Sequence, residues 1–238
     1  MPDFQQKTID NKIILFDPVL FPSPEAEMFD GTYWQAKNSL TGSATGRGTT
    51  YFFRYNNSEF VLRHYRRGGL IGKFLHDQYL YTGLRTTRAW QEFQLLTLMR
   101  ELHLPAPRPA AACVEHNGRG YYRADLISEK IPDASDLHQL LLTTPLDKQT
   151  WHNIGKTIGN FHRHQVFHHD LNIHNIMLDN QQKVWLIDFD KCHFRAGEKW
   201  KAANIERLKR SILKEQSLHN QYQVDETTIQ SLLAGYVC

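Results

Sequence analysis

The segment HHDLNIHNIMLDNQQKVWLIDFD, His168 to Asp190, constrains this 238-residue chain more than any other stretch. Two short apolar runs, IML and VWLID, flank the turn-forming DNQQ, so the segment reads as a tight antiparallel hairpin. Such a hairpin brings Asn175, just before the first run, to the same end as Asp188, which closes the second. Asp170 stands five positions before Asn175. Phosphoryl transfer asks for these groups: a carboxylate to orient and deprotonate an attacking hydroxyl, and oxygen ligands to hold Mg²⁺ against phosphates. Asp170 is therefore the expected base, with Asn175 and Asp188 the expected metal ligands. Taken singly, HHD and DFD are ordinary turn carboxylates, and only their order and spacing point to a site.

The same order resembles the protein-kinase-like superfamily, in which H-R-D-L-x-x-x-N precedes D-F-G. Upstream, LTGSATGRGTTYFFRY sets Gly42, Gly46 and Gly48 before an aromatic, β-branched run, as expected of a glycine turn between two strands. Gly46, Arg47 and Gly48 match the first part of G-x-G-x-x-G and are candidate phosphate-binding residues. Tyr51 stands where the third glycine would be, so a plain turn remains an equal reading. GGLIGKF, from Gly68, is not a Walker loop, because the glycine spacing is short and Phe74 replaces the required hydroxyl. In FVLRHY, Arg63 takes the place of the strand Lys that grips nucleotide phosphates, and Glu92 is its expected helix partner. A guanidinium fork is not equivalent to an ammonium, which argues against an ordinary protein kinase. Trp90, Phe93, Leu96 and Met99 recur at helical intervals, so they should bury one stripe and leave Glu92 on an adjacent face.

With 41% hydrophobic residues the chain can bury one substantial core, and it is expected to form a single domain over 1–238: an N-lobe to about 127, a hinge at about 128–132 and a C-lobe from about 133. A helix is expected to start at Ser23-Pro24. MPDFQQKTIDNK lacks a basic-then-apolar leader and no apolar run reaches the ~18 residues of a membrane span, so the expected location is cytosolic. Cys113, Cys192 and Cys238 are too few and too scattered for a disulfide framework or a zinc site. The run HRHQVFHHD, within a chain of 13 histidines, is read as loop packing around His168 rather than a metal centre.

GSATGRGTTYFF, the stretch VLRHYRRGGLIGKFLHDQYLYTGLRTTRAWQEFQLL, and HHDLNIHNIML with LIDFDKC together resemble the Kdo (3-deoxy-D-manno-octulosonic acid) kinase family, lipopolysaccharide core kinases of Gram-negative bacteria. The resemblance implies an α+β, two-lobed protein-kinase-like fold with a small antiparallel-sheet N-lobe and a reduced, mostly helical C-lobe. It implies ATP and Mg²⁺ as cofactors and transfer to the 4-hydroxyl of Kdo on a lipid A precursor. A related heptose kinase, a compact atypical protein kinase and a nucleotide-binding scaffold without activity are the alternatives. The forty-eight residues after Asp190 contain no A-P-E motif, which favours a small or carbohydrate acceptor over a peptide. The expected partners are that acceptor and, peripherally, the anionic cytoplasmic face of the inner membrane, with neither nucleic acid nor an obligate protein partner. Arg207, Arg210 and Lys214 form one face of a C-terminal helix opposite Ile205, Leu208 and Ile212, a pattern that suits membrane contact and a solvated surface equally.

Overall fold

The structure, a computed structural model, describes residues 4–45, 48–67 and 76–237. Gly46, Arg47, Cys238 and the GGLIGKF stretch lie outside the described residues. The chain divides into two compact units, one formed by Met1–Leu98 with Pro107–Lys130 and the other by Met99–Ala106 with Ile131–Cys238.

The first unit is built on an antiparallel sheet. Its strands are β1 (Gln5–Ile9), β2 (Lys12–Phe16), β3 (Leu40–Thr45), β4 (Thr49–Tyr55), β5 (Ser58–His64), β6 (Tyr79–Leu80), β7 (Pro109–His116) and β8 (Tyr121–Glu129). Their order is β1-β2-β7-β8-β5-β4-β3, with β6 paired to β8. Tight turns set the registers. Between β4 and β5, Asn56 and Asn57 both take positive φ (47° and 63°), the geometry a two-residue hairpin turn demands, and Tyr55 pairs with Ser58. One sheet face is sealed by aromatics: Trp34 stacks on Phe53 at 3.8 Å, beside Phe60 and Phe21. Trp34 belongs to α1 (Gly31–Ala36), whose Asp30 cap accepts from the Thr32 N–H. A short 3-10 helix, Ala26–Phe29, precedes it, so helical structure starts two residues after the expected Ser23-Pro24, with Glu25 in extended conformation at the N-cap. The long helix α2 (Arg88–Glu101), which belongs to this unit as far as Leu98, buries more than the expected stripe: Ala89, Leu95 and Glu92 are enclosed along with Trp90, Phe93, Leu96 and Met99.

The second unit is mostly helical. It contains β9 (Ser135–Asp136), α3 (Leu137–Thr143), α4 (Lys148–Arg163), β10 (Val166–Phe167), β11 (Ile176–Leu178), β12 (Val184–Leu186), β13 (His193–Phe194), α5 (Lys199–Leu218) and α6 (Glu226–Gly235). The strands form a three-stranded sheet, β12-β11-β9, and a two-stranded one, β10-β13. Asp136, Asp147 and Asp225 each accept a backbone N–H at the start of α3, α4 and α6. Helices α4 and α6 pack unusually closely. A Cβ on Gly155 would come within 1.9 Å of the Leu232 carbonyl oxygen, and one on Gly235 equally near that of His152, so only glycine allows the approach.

Candidate active site

The hairpin expected over the central segment forms, with Ile176 opposite Leu186 and Leu178 opposite Val184. Its open end is locked by the Ile187 N–H, which donates to the Asn175 carbonyl at 3.0 Å, so Asn175 and Asp188 emerge together. Asn175 is buried, and its amide nitrogen donates to the Asp170 main-chain oxygen at 2.9 Å. That commitment orients the side chain. Its carbonyl oxygen is then the end that can meet a cation, as a hard-metal site requires. Asn172 donates to the same Asp170 oxygen at 3.1 Å, closing the loop on itself.

Asp188 holds φ at 61°, the left-handed region that Asp tolerates better than most residues and that is common at strained functional turns. Residues on its C-terminal side pin the turn. Phe189 is buried, stacked on Phe161 at 5.8 Å and tilted against His168 at 5.0 Å. The Cys192 N–H donates to the Phe189 carbonyl, and its sulfur accepts the His169 N–H at 3.2 Å. His168 itself is buried and donates through Nε2 to the Ile187 carbonyl at 2.9 Å, joining the Asp170 loop to the Asp188 turn. Burial holds its pKa below the ordinary imidazole range, so it stays neutral and keeps this tautomer.

Asp170 is half-buried, and its Oδ1 accepts from Arg207 Nη2 of α5. Burial opposes ionisation of this carboxyl, but donation from Arg207 and its positive charge outweigh it and set the pKa below the usual value. Arg207 is thus a partner of the expected base rather than simply one of three residues on a basic face, a role that a separation of thirty-seven positions conceals in the sequence. A second support is hidden for the same reason. Asn204 of α5 donates to the His168 carbonyl at 2.8 Å and bonds through Oδ1 to His162 Nε2 at 3.0 Å, while His162 Nδ1 meets the Tyr236 hydroxyl at 2.6 Å. Burial pushes His162 down to about 4, so a neutral imidazole relays this chain from α6 through α4 to the loop.

In the first unit, Arg63 on β5 donates to Glu92 Oε1 on α2, and the Tyr65 hydroxyl donates to Oε2 at 2.6 Å. Glu92 is only 3% exposed, so the carboxylate is a buried, fully bonded anchor and not the surface charge that its helical phase suggests. Gly48, just before β4, lies under the Arg66 side chain: a Cβ there would meet Arg66 Cδ at 2.7 Å. An open cavity in this unit, about 770 Å³, is lined by Tyr51, Leu62, His64, Arg66, Asp77 and Asp125, among others. Because side chains alternate along β5, a cavity lined by Leu62 and His64 lies on the face opposite Arg63, so it is not the surface that the Arg63–Glu92 pair serves.

An Asp-Asn-Asp loop on a hairpin, with an arginine–glutamate pair joining strand to helix, defines an α+β, protein-kinase-like phosphotransferase. A solved structure described as WaaP in complex with acyl carrier protein shares this fold, with a TM-score of 0.58 and 15% identity, covering 90% of this chain and 86% of that one. The profile of the lipopolysaccharide kinase (Kdo/WaaP) family matches residues 31–236, and the chain belongs to that family. Among its relatives, the 3-deoxy-D-manno-octulosonic acid kinase of Vibrio cholerae serotype O1 is 46% identical over 213 residues, covering 90% of this chain and 88% of the relative. Those of Vibrio vulnificus strain YJ016 and Haemophilus influenzae strain 86-028NP are each 44% identical, over 98% and 99% of both chains respectively.

Proposed function

We propose that this kinase phosphorylates Kdo, at the 4-hydroxyl, on a lipid A precursor, using ATP with Mg²⁺. The observation that carries the acceptor is identity of 44–46%, over nearly the whole chain, to relatives named as Kdo kinases. Residues 1–238 act as one kinase-like domain, with N-lobe, hinge and C-lobe near 1–127, 128–132 and 133–238.

Asp170 is the base: its carboxylate, ionised throughout the neutral range, takes the proton of the attacking hydroxyl and holds that oxygen in line. The Asn175 carbonyl and the Asp188 carboxylate are the oxygen donors that would hold Mg²⁺, which neutralises phosphate charge when bound. Their common position at one end of the hairpin suits that role. Arg63 offers a fork whose five donors can hold Glu92 and a phosphate oxygen at once, and Glu92 keeps it aimed. Gly46, Arg47 and Gly48 cover the phosphates through backbone N–H groups. Among the described residues no helix is long and apolar enough to cross a membrane. In this reading the enzyme works from the cytoplasm and meets its lipid-linked acceptor peripherally, through exposed cations such as Arg210 and Lys214.

The decisive experiment incubates the protein with γ-labelled ATP and lipid A precursors with and without Kdo, alongside heptose-bearing core acceptors. Label should enter only Kdo-bearing acceptors. Transfer to a heptose alone would reassign the acceptor within the same family.

A further inference from the structure

We propose that the second unit carries a metal site for a borderline transition cation, Zn²⁺ in the first instance, formed by His138, His174, Glu215 and His219. These residues come from three elements that meet at one place. His138 lies on α3, Glu215 is in the last turn of α5 with His219 capping it, and His174 sits in the 3-10 turn just before Asn175. One ligand atom from each of His138, Glu215 and His219 lies within 4.8 Å of the other two. The Glu215 carboxylate is the hub: His174 Nε2 is 3.3 Å, His219 Nε2 3.5 Å and His138 Nδ1 3.8 Å from its oxygens. Ligands bound at ~2.0–2.1 Å in a tetrahedron stand roughly 3.3 Å apart, so the two edges that meet at Glu215 Oε2, to His219 and His138, are nearly in place, with His174 beside Oε1 as the fourth ligand.

The donor set selects the cation. Three imidazoles and one carboxylate suit zinc and its neighbours, whereas Mg²⁺ and Ca²⁺ require mostly oxygen ligands. The rings are splayed rather than stacked in parallel, with His138 at 47° to His174 and at 66° to His219, as converging ligands need to be. The site is also reachable. His138 and Glu215 are largely enclosed, but His174 is 48% and His219 33% exposed, so solvent and ion have an entry. The Tyr222 hydroxyl now lies 2.5 Å from His138 Nδ1 and 3.4 Å from the His138 carbonyl, so metal at the ring nitrogen displaces the first bond and leaves the second available. A bound cation would tie α3 and the end of α5 to the turn that presents Asn175, stiffening the loop next to the phosphotransfer residues from its outer side.

The test uses the full chain, stripped with chelator and titrated with Zn²⁺ alone by calorimetry, and with Co²⁺ by visible absorption. The wild type should take up one equivalent with micromolar or tighter affinity. Tetrahedral Co²⁺ bands should appear, and the melting temperature should rise by roughly 5 °C or more at zinc a hundredfold above the dissociation constant. His219→Ala and Glu215→Gln should each weaken binding tenfold or more and remove most of the melting shift. His116→Ala, on the edge of the first unit, should change neither. His219→Ala removes a partly exposed ring, so its metal-free melting point should match that of the wild type even if the more enclosed His138→Ala misfolds. Absence of zinc binding, or binding that survives both His219→Ala and Glu215→Gln unchanged, overturns the proposal and leaves the cluster a hydrogen-bond network around Glu215.

Discussion

Each unit holds an arginine–carboxylate pair among its candidate site residues, and the two pairs differ in depth. In Arg63–Glu92 the carboxylate is 3% exposed and shared with Tyr65, whereas in Arg207–Asp170 the partners are 48% and 39% exposed. A buried pair is costly to assemble but more costly to break, because removing one partner strands a desolvated charge. A half-exposed pair is worth at most ~1 kcal/mol, since water and salt compensate either member. The first is therefore a fixed part of the scaffold. The second can yield, as the proposed base would have to when an acceptor hydroxyl arrives. On the proposed roles, the deeper pair would aim a phosphate-binding cation and the shallower one would leave the base only lightly held.

The largest expected effect comes from breaking the deep pair. Arg63→Ala should destabilise the protein by about 3–5 kcal/mol in a denaturant titration, because Glu92 stays buried with one partner fewer. Glu92→Ala should be costly as well, and the double variant should cost clearly less than the sum of the singles. Strict additivity in that cycle would mean that the pair is not a unit.

A smaller effect probes the basic face of α5, where Arg207 is occupied by Asp170 and only Arg210 and Lys214 remain to be tested cleanly. Changing both to Glu should weaken binding to anionic vesicles by about 1 kcal/mol per residue, with the difference shrinking at high salt. Delipidated acceptor should be phosphorylated at the wild-type rate by the same variant. If vesicle binding does not change, that face is only a solvated surface.

The smallest stability change belongs to the shallow pair. Arg207→Ala should cost under ~1 kcal/mol in unfolding, yet it should move the pH profile. Burial alone raises the Asp170 pKa, and the bond and charge from Arg207 bring it below the usual value. Without Arg207 the carboxyl titrates higher, and because the base acts deprotonated, the acid limb of kcat/KM should shift to higher pH while the plateau above it persists. A folded-state pKa depressed in this way contributes stability that is present above the ordinary carboxylate range and lost as pH falls through the depressed value. The deficit of the variant relative to wild type should therefore shrink at low pH. An unmoved acid limb would show that Arg207 does not tune the base.

What the sequence made legible was local. The hairpin from Ile176 to Leu186, the turn that returns Asp188 to Asn175 and the antiparallel strands around Arg63 all follow from periodicity and turn residues within a few positions. Glu92 was legible as a partner but not as a buried one, because its phase on α2 places it beside the apolar stripe, while the Tyr65 hydroxyl and the Arg63 fork help make its burial tolerable. Arg207, Asn204 and the histidines around Glu215 were legible only as residues of an amphipathic helix or a histidine-rich composition. Apart from His219, four positions from Glu215, their partners lie 36 to 84 positions away, and no spacing rule links a helix face to a loop that tertiary packing alone brings to it.

Whether Asp170 is a lightly held base can be read from the single-turnover rate constant of Asp170→Asn, measured together with its ATP dissociation constant. Asparagine keeps the shape and can still accept from Arg207, but it cannot take a proton. The rate should fall at least ~10²-fold below wild type with nucleotide affinity essentially unchanged. A rate near that of the wild type would contradict the assignment.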